Sequence, residues 1–335
     1  MPMNVTSKQI AELCGVTRGT VDRALNNRPG IHPDTRDKIM RVAEELGYRP
    51  HFLAQSLVKG HTKTLGIVLF DIHNQIFSQL FHAFEAEARK RGYIVYLVLS
   101  NRDKELEMEY INNLLDRRVD GIALLPANDN KKFESFLLRS RTPIVTFGNR
   151  LTNPFPYIWI NDKQAICDSV AFLAEQGYRH LIYLSPPLMR KGKENIYVPE
   201  QRYQGFVQAC AEIPDMRFNV IAQKQYLTEL ESLLDTIDSK CAILCSSDVY
   251  ALEVLKWLKA RKIRVPDQVG LMGFDNIEFL KYINPSLTTV DYNVNEIGTK
   301  LADLLIRRIN DEEVPAETLI DHHVLQGESV SLSLD

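Results

Sequence analysis

Arg18 and Arg23 stand close together in the run VTRGTVDRALN, with Thr17 before them and Gly19 between them. A guanidinium is a planar fork of donors that fits guanine O6 and N7. A neighbouring glycine lets a backbone approach a surface, and a hydroxyl suits a phosphate oxygen. The chemistry implied is the reading of duplex base edges. Asp22 fits less easily: a carboxylate four residues after Arg18 can orient that guanidinium, accept from a cytosine N4, or simply sit on a surface. A second set of residues lies farther along the chain: Asp71, Asn74, Ile76 and Phe77 in FDIHNQIF, Asn149 and Arg150 in FGNR, and Asp162 in WIND. Arg202 in QRYQGF, Ser247 and Asp248 in SSD, and Asp275 and Asn276 in GFDN complete it. Carboxylates, amides and guanidiniums hold vicinal hydroxyls while a ring packs on the apolar face of a sugar, so the set suits a hydroxyl-rich ligand. For Asp162, Asp248 and Asp275, capping the following helix is an equal reading.

The first set is carried by three short predicted helices. Thr6 with Gln9 three residues on is a capping-box start, Ile10 and Leu13 give one apolar face, and Gly15 ends the helix. Thr17 caps a second helix in which Val21, Ala24 and Leu25 turn inward and Arg18, Gly19, Asp22 and Arg23 face out. Pro33 opens a third, with Ile39, Val42, Ala43 and Leu46 on one stripe before Gly47. Two short helices joined by a tight glycine turn, with a third across them, form a helix-turn-helix whose second helix enters the major groove.

The second set sits at the ends of apolar runs: 65–70, 93–99, 121–126 and 143–147, then 180–185, 218–222, 241–245 and 269–274. Runs of this kind alternating with amphipathic helices predict parallel sheets flanked by helices, here two in succession, hence two lobes. Ligands of such sheets bind beyond the carboxyl ends of the strands, in this case in the cleft between the lobes.

Charge and composition narrow the function classes. Residues 1–60 hold nine Lys/Arg against six Asp/Glu in a chain of net charge -3, so a mildly basic head precedes an acidic body. No stretch approaches a membrane span and the N-terminus lacks a signal-peptide core, which predicts a cytoplasmic, nucleoid-associated protein. The five cysteines are scattered without a C-x-x-C pair and read as reduced structural thiols. Asp321, His322 and His323 do not make a metal site, because adjacent residues of a strand point to opposite faces. Phosphate-loop, dinucleotide, nucleophile-elbow and zinc-protease motifs are all missing, so no catalytic residue, metal or cofactor is expected.

The run from Val5 to Val68 resembles the head of the LacI/GalR family of bacterial transcription regulators, through the helix-turn-helix, the RALN exit, the T-R third helix, the LGYRP stop and the A-x-x-L segment before T-x-x-L-G-I. The resemblance implies an all-α helix-turn-helix head plus a two-lobed α/β core of periplasmic-binding-protein type. It divides the chain into a head at 1–50, a hinge helix at 51–61 and a core at 62–335. The N-lobe takes about 62–160 and 292–318, and the C-lobe about 161–291 and 319–335. Arg18 and Gly19 become the main base-reading positions, with Arg23 a third contact. Thr6, Thr17 and Asn26 become phosphate or backbone partners, and Leu57 a minor-groove wedge. Asp22 departs from the family's common Ser. In the core Ile76, Phe77, Arg150, Asp162, Arg202, Asp248 and Asp275 become effector contacts. The implied partners are double-stranded, pseudo-palindromic operator DNA, a sugar or polyol effector, and a second copy of the chain. Helix 296–309 is placed near the subunit interface, or equally is a plain amphipathic helix on a sheet. The function implied is effector-controlled transcription regulation, most often repression. A sugar-binding protein and an α/β enzyme with an added helical domain are the alternatives.

Overall fold

The structure is a computed structural model that describes residues 5–48, 60–152, 155–188 and 193–331. The chain divides into two compact units after Thr62. The first contains helices α1 (Ser7–Cys14), α2 (Arg18–Leu25) and α3 (Pro33–Glu45). The Thr6 hydroxyl accepts from the Gln9 N–H while the Gln9 side chain takes the Thr6 N–H, and Gly15 closes α1 with φ 68°. Lys38 on α3 donates to the Cys14 carbonyl at 3.1 Å, placing a cation at the carboxyl end of α1. Ile10, Ala11, Cys14, Val21, Ala24, Ile39 and Ala43 form the core of this unit. Leu13, expected beside Ile10, is 61% exposed. At about 100° per residue, the middle of the Ile10–Ala11–Cys14 face lies about 100° around the helix from Leu13, so the small Ala11 and Cys14 take the inner positions. The predicted hinge at 51–61, with Leu57, falls mostly on residues outside those described.

The second unit contains two parallel sheets. Strands β1 (Thr64–Leu69), β2 (Ile94–Leu99), β3 (Gly121–Leu124), β4 (Ile144–Phe147) and β5 (Tyr157–Trp159) alternate with helices α4 (Gln75–Lys90), α5 (Lys104–Asp116) and α6 (Lys131–Ser140). Helix α7 (Asp162–Glu175) then leads into β6 (His180–Leu184), α8 (Tyr197–Glu212), β7 (Arg217–Ile221), α9 (Tyr226–Leu234), β8 (Cys241–Cys245), α10 (Asp248–Ala260) and β9 (Val269–Met272). After β10 (Thr289–Asp291) come α11 (Val294–Ile309), β11 (Glu317–Leu319) and β12 (His323–Leu325). The first sheet has the order β11-β5-β4-β3-β1-β2 and the second β7-β6-β8-β9, while β10 and β12 form an antiparallel pair. Each of the eight predicted strands is present within a residue or two at its ends. The late strand β11 rejoins the first sheet beside β5, so that sheet is completed by a distant part of the chain.

Helix α11 settles the reading of 296–309. Its apolar residues Ile297, Leu301, Leu304 and Leu305 are buried within the same chain, and it packs closely on α4. A Cβ at Gly298 would stand 2.4 Å from the Leu80 carbonyl oxygen, so glycine sets this close approach. The stripe is therefore internal packing rather than a dimer face. Gly298→Ala should destabilise the core by about 1–3 kcal/mol, read as a lower urea midpoint, through overpacking. Its subunit mass in sedimentation should stay that of the wild type.

Candidate functional site

The exposed side of α2 is assembled from its caps outward. Thr17 accepts from the Thr20 N–H at 3.2 Å and starts the helix, while Val21 and Ala24 anchor it in the head core. Arg18, which is exposed, donates through Nε to Ser7 Oγ at 3.1 Å, and this holds the guanidinium over α1. Asp22 does not perform that orienting role. It accepts from Asn26 Nδ2 at 2.9 Å and stands 3.6 Å from Arg28 Nη1. Gly19 has open space around a hypothetical Cβ, the nearest atom being Thr17 Oγ1 at 3.8 Å, so packing within the head does not require a glycine there. Arg23 lies exposed with its Nη1 beside Gly30. Asn26 gives its amide protons to the Asp22 carbonyl and carboxylate, and so serves to end α2 rather than as a free phosphate donor.

In the core, Asp162, Arg202 and Asp275 come together. Arg202, buried on α8, donates from Nε to Asp162 Oδ1 at 2.7 Å and from Nη1 to the Ser246 carbonyl at 2.5 Å. Its Nη1 is 3.6 Å from Asp275 Oδ1, and the guanidinium lies 3.7 Å from the centre of the Phe274 ring. The Tyr292 hydroxyl donates to Asp275 at 2.9 Å. Trp159, Tyr292 and Phe274 continue as a chain of ring contacts, with centroids 5.7 and 5.8 Å apart. Burial works against the charge of Arg202, but Asp162 and then Asp275 outweigh it and raise its pKa above the usual arginine value. Burial raises the Asp162 carboxyl against the pull of Arg202, and lifts Asp275 to about 6. The Trp159 indole lies against the Asp162 carboxylate and the Tyr183 hydroxyl against Ser185, while Ser246 Oγ is buried there without a hydrogen-bond partner. The cluster lies at the carboxyl ends of β5, β6, β8 and β9, where open parallel sheets bind ligands.

The other predicted contacts are placed differently. Asp248 is 0% exposed, and its carboxylate takes the Thr289 hydroxyl at 2.7 Å and the Ile277 N–H at 2.9 Å. It ties β10 to the turn after β9, with both carboxylate oxygens engaged within the fold. The three aspartates do not cap helices: Asn161, not Asp162, accepts from the Gln164 N–H at 3.1 Å. Ile76 and Phe77 are buried in the first turn of α4, with Phe77 edge-on to Phe70. Arg150 pairs with Glu317, lies over Tyr157 at 4.1 Å, and lines a cavity of ≈ 180 Å³ with Asp162, Tyr197 and Gln201. His322 pairs with Asp168 at 2.7 Å and His323 points away toward Asp291. Among the described residues, no group of three or more His, Cys, Asp or Glu is arranged for a metal.

Two asparagines join the lobes. Asn195, just before α8, donates from its N–H to the Ala127 carbonyl at 2.7 Å and from Nδ2 to the carbonyls of Asn128 and Arg150. Asn149 answers with Nδ2 to the Asn195 carbonyl at 2.8 Å and accepts from the Val198 N–H at 3.0 Å. Beneath them the buried Glu107 accepts from the N–H groups of Ala127 and Asn128 and from Asn128 Nδ2. Asn195, Glu107, Trp159, Tyr183 and Tyr292 were missed from sequence. Asparagine and glutamate are ordinary surface residues by type, and only their burial marks them.

Residues 6–51 match the family of bacterial regulatory proteins, lacI family, and residues 170–330 match the periplasmic binding protein-like domain. The chain is 30% identical over 320 residues to catabolite control protein A of Priestia megaterium, covering 93% of this chain and 95% of that protein. Its fold is similar to a Lac repressor dimer bound to operator and the anti-inducer ONPF, with TM-score 0.83, 20% identity and coverage of 98% and 99%. It is also similar to a periplasmic binding protein/LacI transcriptional regulator from Alkaliphilus metalliredigens complexed with D-xylulofuranose, with TM-score 0.71, 24% identity and coverage of 80% and 99%.

The buried carboxylate of Glu107 generates a pH test. Burial lifts its pKa to about 7 against three donors that favour the charge. Between about pH 4.5 and 7 the folded core keeps a proton that the unfolded chain has released, so this group makes stability fall as pH rises through that window. Urea midpoints at pH 5 and 7 should show a smaller decrease for Glu107→Gln than for wild type. The variant should also lose about 1–3 kcal/mol, because its amide turns an N–H toward a donor.

Proposed function

We propose, from the premise that this chain belongs to the lacI family of bacterial regulatory proteins, that α2 reads the major groove of an operator while the Arg202 cluster holds a sugar or polyol effector. The protein is a DNA-binding transcription regulator with a periplasmic-binding-protein-like core, and not an enzyme. Among the described residues, no helix is long and apolar enough to cross a membrane.

The observation that carries the DNA assignment is Gly19. A glycine in the first turn of a helix is less favourable than alanine, and nothing within the head fills the space a Cβ would take. The vacancy is useful to an outside surface that comes close. Arg18, already steadied by Ser7, and Arg23 then reach guanines, and Thr6 and Thr17 approach phosphates. Leu57 is retained from the sequence as the minor-groove wedge. One reading helix supplies few contacts, so two copies on a pseudo-palindromic site are required for specific affinity. The apolar residues exposed on the edge strand β2, Ile94 and Tyr96, and on the turn at Glu278–Tyr282, Phe279 and Tyr282, give a second copy a face to cover.

In the core, the Asp162 carboxylate, Trp159 Nε1, Tyr183 Oη and Ser246 Oγ provide an acceptor, a donor and two hydroxyls beside a row of rings. Hydroxyl groups of a small sugar satisfy this set, as does the class of ligand in the A. metalliredigens complex. Effector binding acts on operator affinity only through its preference for one lobe arrangement.

Gly19→Ala should raise the melting temperature of the head while weakening operator binding at least tenfold in a fluorescence anisotropy titration. Arg18→Ala should cost about 1–3 kcal/mol and relax one base preference per half-site. A thermal-shift screen of monosaccharides and polyols should yield a stabilising ligand. Its affinity should fall below about pH 6, as Asp275 takes up a proton, and Arg202→Lys should abolish the shift.

A further inference from the structure

We infer that Asp22 is a specificity-determining residue that accepts a hydrogen bond from the N4 amino group of a cytosine in each half-site. The inference rests on the DNA-reading role of α2. Helical geometry puts Asp22 one turn beyond Arg18, on the side opposite the buried Val21 and Ala24. Its side chain is 55% exposed.

A carboxylate brought to a polyanion is repelled unless something neutralises it. Here the head supplies the counter-charge itself. Arg28 Nη1 stands 3.6 Å from Asp22 Oδ2, and Asn26 Nδ2 donates to Oδ1 at 2.9 Å. The turn that carries Arg28 is fixed in turn by Arg36 of α3, whose Nη1 donates to Asn27 Oδ1 at 2.7 Å and whose Nη2 donates to the Arg28 carbonyl at 2.8 Å. The T-R pair that opens the third helix thus acts on the reading helix through this turn.

The carboxylate is therefore held in place and its charge compensated. Its contact with Arg28 is too long for a hydrogen bond, so Oδ2 keeps accepting capacity. An acceptor without a donor selects among the amino groups of the major groove. Adenine N6 lies next to the N7 acceptor of the same base, which repels a carboxylate. Cytosine N4 has no such neighbour on its own ring, so cytosine is the base that fits.

The test is selection of full-length protein on a randomised duplex library followed by sequencing, with wild type, Asp22→Asn, Asp22→Ala and Arg18→Ala compared. Wild type should enrich a cytosine in each half-site at a position distinct from the one lost in Arg18→Ala, with a discrimination of about 5- to 150-fold. Asp22→Asn should move the preference at that position to adenine, which an amide reads through N6 and N7. Asp22→Ala should flatten that position and leave the others intact. Retention of the cytosine in Asp22→Ala, or an equal loss of affinity for every sequence, overturns the assignment. The near-isosteric Asp22→Asn guards against misfolding as the cause. Enrichment of no motif by wild type overturns the DNA-reading role itself, and this assignment with it.

Discussion

A guanidinium removed from water has to be matched by groups that are themselves fixed, and the core is arranged around that demand at Arg202. Its partners arrive from separate parts of the chain: Asp162 at the start of α7, the Ser246 carbonyl at the end of β8, and Asp275 after β9. Tyr292, which steadies Asp275, follows β10 where the chain leaves for α11. Removing any one of them strands a buried charge, which is far costlier than the net gain of the intact pair. Such a centre contributes little stability but strongly restricts the geometry. The strand ends and two of the passages between the lobes must meet at one point.

Much of this could be read from the amino-acid sequence because burial leaves a periodic trace. Most of the eight long strands are apolar runs, and the head helices open on caps at Thr6 and Thr17 and on Pro33 in the first turn of the third. What could not be read depended on which of several eligible groups turns inward. Asp248 and Asp275 both follow a strand of the second sheet, yet one secures β10 and the other meets Arg202. Ile10 and Leu13 satisfy the same helical spacing, and two small residues took the inner place of the leucine. The stripe of α11 is the same whether it meets a partner subunit or α4; the close approach at Gly298 distinguishes the two, and that is a property of the packed pair.

The head shows how a small unit divides its polar groups between holding itself together and reaching outward. Ser7, Gln9, Asn26, Asn27 and Arg36 are occupied with internal bonds. With seven buried apolar residues in its core among the described residues, those bonds are a large share of what fixes the angle of α2. The residues on the exposed side of α2 take their direction from these bonds, those of Ser7 and Arg36 among them.

The amide clasp between Asn149 and Asn195 leads to a different asymmetry. Because neither side chain ionises and each meets backbone carbonyls or N–H groups, the strength of the clasp is nearly indifferent to dissolved electrolyte. The grip of the head on a polyanion weakens steeply with added ions as condensed counterions are no longer released to advantage. Osmotic stress that concentrates potassium would thus loosen the hold of the head and leave the clasp undisturbed.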